Sequence, residues 1–139
     1  MSAVYTPRIQ RWPTCALVTL PVSAGNPFAT DSYIEGQIDP YEYLIKHPSN
    51  TFFVRVTGDS MIDLGIQPGD LLVVDRSIEA QNGKVVIAIL DGELTVKKFE
   101  LAGSHLRLVP ANSNYQPIVV KPNQDFEVWG VVTFVIHRV

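Results

Sequence analysis

A single cysteine in 139 residues, Cys15, leaves no partner for an intrachain disulfide. Small secreted domains depend on such bridges, so this usage fits a reducing compartment. Histidine is scarce too. His47, His105 and His137 stand far apart, with no Cys/His cluster at metal-ligand spacing, so neither a metal site nor a Ser-His-Asp triad is legible and no cofactor is expected. A glycine-rich phosphate loop is missing. Basic charge is not in excess: 11 Lys and Arg against 14 Asp and Glu leave a net charge of −3, which gives no broad attraction for nucleic-acid phosphates. Direct sequence-specific DNA binding is therefore not expected. Long apolar runs are also wanting. The stretch from Ala3 to Leu20 is broken by Pro7, Arg8, Gln10, Arg11 and Pro13, which removes both a signal peptide and a membrane span from consideration. The expectation is a soluble, cytoplasmic protein.

What remains reads as two parts. Residues 1–30 carry prolines at 7, 13, 21 and 27, which fix extended or turn backbone and predict an arm without a core of its own. Residues 31–139 carry the pattern of one folded domain. Asp39 followed by Pro40 and Glu42 is an N-terminal helix signal, and His47-Pro48 ends that short helix. Beyond it, runs of β-prone residues between turn signals predict strands at 51–57, 71–74, 84–90, 93–101, 106–109, 118–120 and 126–137. Asp91-Gly92 between two of these runs predicts a tight hairpin. The expected fold is mainly β, a compact, strongly curved, mostly antiparallel sheet with one short helix and an extended N-terminal arm. The run from Val128 to Ile136, with Trp129 and Phe134, fits core or interface.

Chemistry is concentrated in Gly58-Asp59-Ser60-Met61 and in Val96-Lys97-Lys98. A serine hydroxyl attacks a carbonyl only when a base takes its proton, and a lysine amine kept neutral by burial can be that base. Alternation along the strand 93–101 puts Thr95, Lys97, Phe99 and Leu101 on one face. Because that set carries the aromatic residue, Lys97 rather than Lys98 is expected inside. Gly58 is read as permitting an unusual backbone angle beside Ser60, whose own N–H or its neighbours' could face a developing oxyanion. Asp59, Asp63, Asp70 and Asp75 lie at turns and strand ends, where a structural role is expected.

Together with 38–39, 44–49, 69–75, 91–93, 95–98 and 130–132, these segments resemble the LexA/UmuD family of self-cleaving serine peptidases, and most closely its UmuD-like branch. The likeness runs from about Gly25 onward. It implies Ser60 as nucleophile, Lys97 as general base and Ala24-Gly25 as the scissile bond, cut on stimulation by the RecA filament on single-stranded DNA in the SOS response. It further implies a homodimer and, after cleavage, an accessory role beside a UmuC-like Y-family subunit of an error-prone translesion polymerase of the polymerase V type. The residues before Gly25 are too few and too proline-rich for the helix-turn-helix domain of a LexA-type repressor. Two other readings are a non-catalytic dimeric adaptor for a polymerase or RecA filament, and a LexA-like regulator lacking its DNA-binding domain.

Overall fold

In the computed structural model, residues 13–20 and 33–139 are described, and the chain divides into two units, Met1–Tyr43 and Leu44–Val139. Within the first unit, β1 (Cys15–Val18) pairs antiparallel with β2 (Ile34–Ile38), Cys15 opposite Ile38. This ribbon was not legible in the sequence. Neither Cys-Ala-Leu-Val nor Ile-Glu-Gly-Gln-Ile alternates cleanly, and every residue of β1 is exposed. The helix α1 (Pro40–Leu44) starts as the sequence predicts: the Asp39 carboxylate accepts from the N–H groups of Tyr41 at 3.0 Å and Glu42 at 3.2 Å. These bonds satisfy donors that have no partner inside the helix.

The second unit is built on seven strands: β3 (Thr51–Arg55), β4 (Leu71–Asp75), β5 (Val85–Leu90), β6 (Glu93–Ala102), β7 (His105–Val109), β8 (Ile118–Val120) and β9 (Phe126–Ile136). All pair antiparallel, in the order β3-β4-β9-β5-β6-β7-β8. Each lies where the sequence predicts a strand. Asp91 (φ 50°) and Gly92 (φ 82°) both take positive φ in the β5–β6 hairpin, the geometry its two-residue turn requires.

Curvature is written into β9. Its C-terminal half pairs with β4 and its N-terminal half with β5, and its register slips once against each, leaving Thr133 and Trp129 as extra residues. Such bulges bend a strand and increase its twist. Between them Gly130 passes so close to β4 that an added Cβ would stand 2.5 Å from Val74 Cγ1. Trp129 is tilted against Phe52 with ring centroids 5.2 Å apart, and the Arg76 guanidinium lies over its ring.

Successive residues of β5 enter different cores. Ile87 joins Val56, Met61, Ile66, Leu72 and Val74, whereas Val86 and Ala88 join Leu108 and Val131. Apolar packing therefore covers both faces of this strand. Each fully buried Val, Leu, Ile or Met among them contributes about 1.5–3 kcal/mol of hydrophobic stabilisation. The first of these cores contains Met61, which fixes the turn carrying Ser60.

Candidate active site

Ser60 sits in a turn between β3 and β4. The Ile62 N–H donates to the Asp59 carbonyl at 3.2 Å, closing residues 59–62 into a β-turn with Met61 at φ −121°, ψ 23°. Met61 is only 2% exposed and anchors the turn in the core. From the other side, the loop after β7 grips its backbone: the Ala111 N–H donates to the Ser60 carbonyl at 2.8 Å, and Asn112 Nδ2 to the Asp59 carbonyl at 2.9 Å. Because the peptides are trans, the N–H groups of Ser60 and Met61 point away from the carbonyls held by that loop. Among the described residues neither N–H has an acceptor.

One expectation is corrected here. Gly58 does not take a positive φ, and an added Cβ would meet nothing within 4 Å. The fold does not require glycine at this position. The turn gets its shape from the Asp59–Ile62 bond and from Met61's burial instead.

Strand alternation turns Lys97 inward, 8% exposed, while Lys98 is half-buried. Lys97 Nζ donates to Thr95 Oγ1 at 2.6 Å, to Ser60 Oγ at 3.1 Å and to the Val96 carbonyl at 3.2 Å. Desolvation lowers its pKa from the ordinary lysine value. No carboxylate forms an ion pair with it among the described residues. A neutral amine fits the same three neighbours: its two hydrogens serve Thr95 and Val96, and its lone pair accepts the Ser60 hydroxyl proton. Thr95, two residues away on the same strand face, thus orients the amine. Alternation placed it there, but nothing in the sequence alone identified it as a partner.

Both groups open into a cleft of about 670 Å³. Its walls are largely apolar, with Val54, Val56, Ile66, Ile87, Leu94 and Trp129 beside Ser60 and Lys97. Such a lining keeps the amine poorly solvated. Ala24 and Gly25 lie outside the described residues.

The aspartates divide in role. Asp70 is 3% exposed and has its pKa lowered by the Gln67 N–H at 2.8 Å and then by His137, whose Nδ1 is 2.6 Å away. Burial would raise Asp75, but the Ser77 hydroxyl, His47 and the Ser77 N–H outweigh it and hold its pKa down. Both brace the ends of β4, as their turn positions predict. Their histidine partners, remote in sequence, were not foreseen. Neither pair lines the cleft. Asp59 does line it, and its carboxylate accepts from Tyr115 Oη at 2.6 Å. No group of three or more metal-binding side chains occurs among the described residues, and no described helix is long and apolar enough to cross a membrane.

The Peptidase S24-like family profile matches residues 16–133. Protein MucA of Salmonella typhimurium is 42% identical over 113 residues, covering 81% of this chain and 77% of its own. Protein SamA of the same species is 39% identical over 125 residues, 90% of this chain and 86% of its own. The LexA repressor of Shewanella woodyi is 43% identical over 120 residues, 84% of this chain but 57% of its own. With the family profile spanning most of its length and such relatives beside it, the chain belongs to the peptidase S24-like family, in its UmuD-like group.

Proposed function

We propose that this protein is a self-cleaving serine endopeptidase, with Ser60 as nucleophile, Lys97 as general base and Ala24-Gly25 as the bond cut. The observation that carries the reading is the 3.1 Å contact between Lys97 Nζ and Ser60 Oγ, made where burial favours the free amine. In the first step Lys97 takes the Ser60 proton as Oγ bonds to the Ala24 carbonyl carbon. The resulting oxyanion would lie against the N–H groups of Ser60 and Met61. Lys97 then returns the proton to the Gly25 nitrogen as the C–N bond breaks, leaving an ester. Water, deprotonated by the same amine, then attacks the ester carbon, and the amine passes that proton to Ser60 Oγ as the Oγ–C bond breaks, releasing the Ala24 carboxylate and restoring the pair. Small side chains on both sides of the bond let its carbonyl approach Ser60 closely.

In this reading residues 1–30 are an arm carrying the scissile bond and 31–139 the peptidase domain. A chain that carries its own substrate holds it at high effective concentration, so control falls to the equilibrium that seats the arm. The RecA filament on single-stranded DNA would shift that equilibrium in the SOS response. Residues 25–139, as a homodimer, would then serve as accessory subunit to a UmuC-like Y-family polymerase in translesion synthesis. The UmuD-like relatives support this assignment.

The test is intact mass of the purified chain at about pH 7 and about pH 10, and with RecA, ATP and single-stranded DNA, beside Ser60→Ala. A fragment beginning at Gly25 that the variant never yields is expected. A chain that stays whole under all conditions would refute the peptidase and favour an adaptor.

A further inference from the structure

We propose that Tyr115 is a positioning residue for this reaction: its hydroxyl holds the Asp59 carboxylate away from Lys97, so that the amine has no counter-charge. The proposal rests on Lys97 acting as the base.

Asp59 is the one carboxylate lining the cleft among the described residues, and it immediately precedes Ser60, whose Oγ touches Lys97 Nζ. A freed Asp59 side chain would therefore be released in the wall of the same cleft that Lys97 lines. Tyr115 reaches it from a remote loop, donating its hydroxyl to Asp59 Oδ1 at 2.6 Å. That loop is braced by its own bonds, from the Asn114 N–H to Asn112 Oδ1 at 3.0 Å and from the Tyr115 N–H to the Asn112 carbonyl at 3.1 Å. Asn112 also holds the Asp59 carbonyl, so one loop grips this residue at both its main chain and its side chain.

The other charged groups near the cleft do not take over this task. Arg55, on β3, donates to the Gly69 carbonyl at 2.8 Å and forms no ion pair with Asp59. From β5 the cleft receives only Ile87 and Ile89. Lys98 lies on the opposite face of β6, and Glu100 pairs with Arg107 farther along β6 and β7. Bonding to Asp59 also raises the pKa of Tyr115 above the ordinary phenol value, which favours the protonated, donating hydroxyl.

A carboxylate brought within about 4–6 Å of an amine stabilises the charged form by roughly 1–3 pKa units. Each unit removes about nine-tenths of the free amine at a pH below the pKa.

The test is the self-cleavage rate of the full chain between about pH 7 and pH 11 for wild type, Tyr115→Phe, Asp59→Asn, the double variant and Lys97→Ala. Tyr115→Phe is expected to cleave at least about tenfold more slowly near neutral pH, with its alkaline rise moved up by about one unit or more. Without a carboxylate to misdirect, the double variant is expected to match Asp59→Asn alone. A wild-type profile in Tyr115→Phe, or a double variant as slow as Tyr115→Phe, overturns the proposal. Cleavage by Lys97→Ala would instead overturn the base assignment itself, so the two failures are distinguishable. If Tyr115→Phe yields no product, the Lys97 side-chain NMR titration in the uncleavable Ser60→Ala chain decides. A raised midpoint on adding Tyr115→Phe supports the proposal, and an unchanged midpoint overturns it.

Discussion

One methyl group added at Gly130 and one added at Gly58 are expected to have opposite consequences. At Gly130 the new Cβ would stand 2.5 Å from Val74 Cγ1 and 3.3 Å from Arg76 Cγ. Val74 is fully buried, so neither strand can yield without disturbing the core. Overpacking of this kind costs about 1–3 kcal/mol, and a domain of this size loses about 4 °C of Tm per kcal/mol. Gly130→Ala should therefore melt roughly 4–12 °C lower. At Gly58 the methyl meets no protein atom and the backbone is not left-handed. Gly58→Ala should keep its stability or gain about 0.4–1 kcal/mol through a less flexible unfolded chain. It should nonetheless cleave at least about tenfold more slowly, because the methyl enters the cleft wall two residues from Ser60, where misplacing a substrate by about 1 Å costs on the order of 100-fold. Thermal melts in the Ser60→Ala background hold chain length constant, and intact mass in the active background gives the cleavage rate. Gly130→Ala melting within about one degree of its parent, or Gly58→Ala melting well below it, would refute this division between fold and cleft.

Ser60→Ala is expected to abolish the Gly25 fragment while leaving the melt unchanged, and residual cleavage at that bond would reject the nucleophile. Lys97→Met should lose cleavage yet melt higher near neutral pH. Because the folded pKa is depressed, the unfolded chain binds more protons between that value and about 10.4, so wild type gains on the variant as pH rises through this window. A variant that melts lower at neutral pH would contradict the desolvation of the amine. Asp75→Asn should melt below wild type at neutral pH. Since the native carboxylate is held down, its stabilisation is present above the unfolded value near 3.9 and lost as pH falls toward the folded one, so the gap should close below about pH 4. Melts across that range test it, and a gap independent of pH would count against the assignment.

Much of the second unit was legible because its information is local. Short runs of β-prone apolar residues between turn signals located all seven strands, Asp91-Gly92 fixed one hairpin, and a period of two turned Lys97 inward. Long-range partnerships escaped. Asp59 meets Asn112 and Tyr115 across more than fifty residues, and His137 meets Asp70 across 67. None of these pairs leaves a periodic trace. The β1–β2 ribbon escaped for a different reason: its exposed residues carry no alternation, and Pro13 pointed to an arm. Gly58 misled because glycine beside a candidate nucleophile suggests strained backbone, whereas its φ is not positive.

The place of β9 in the sheet governs when the site can exist. Ser60 belongs to the β3–β4 side and Lys97 to the β5–β6 side, and β9 is the strand that joins β4 to β5. It is also the last described strand to be synthesised. On a ribosome-bound chain that has not yet produced residues 126–136, the sheet cannot be continuous from β3 and β4, which flank the Ser60 turn, to β6, which carries Lys97. The arm leaves the ribosome long before the two are brought into one sheet. Under the proposed self-cleavage, the cut has to wait for β9, and interrupting β9 should silence it without touching Ser60 or Lys97.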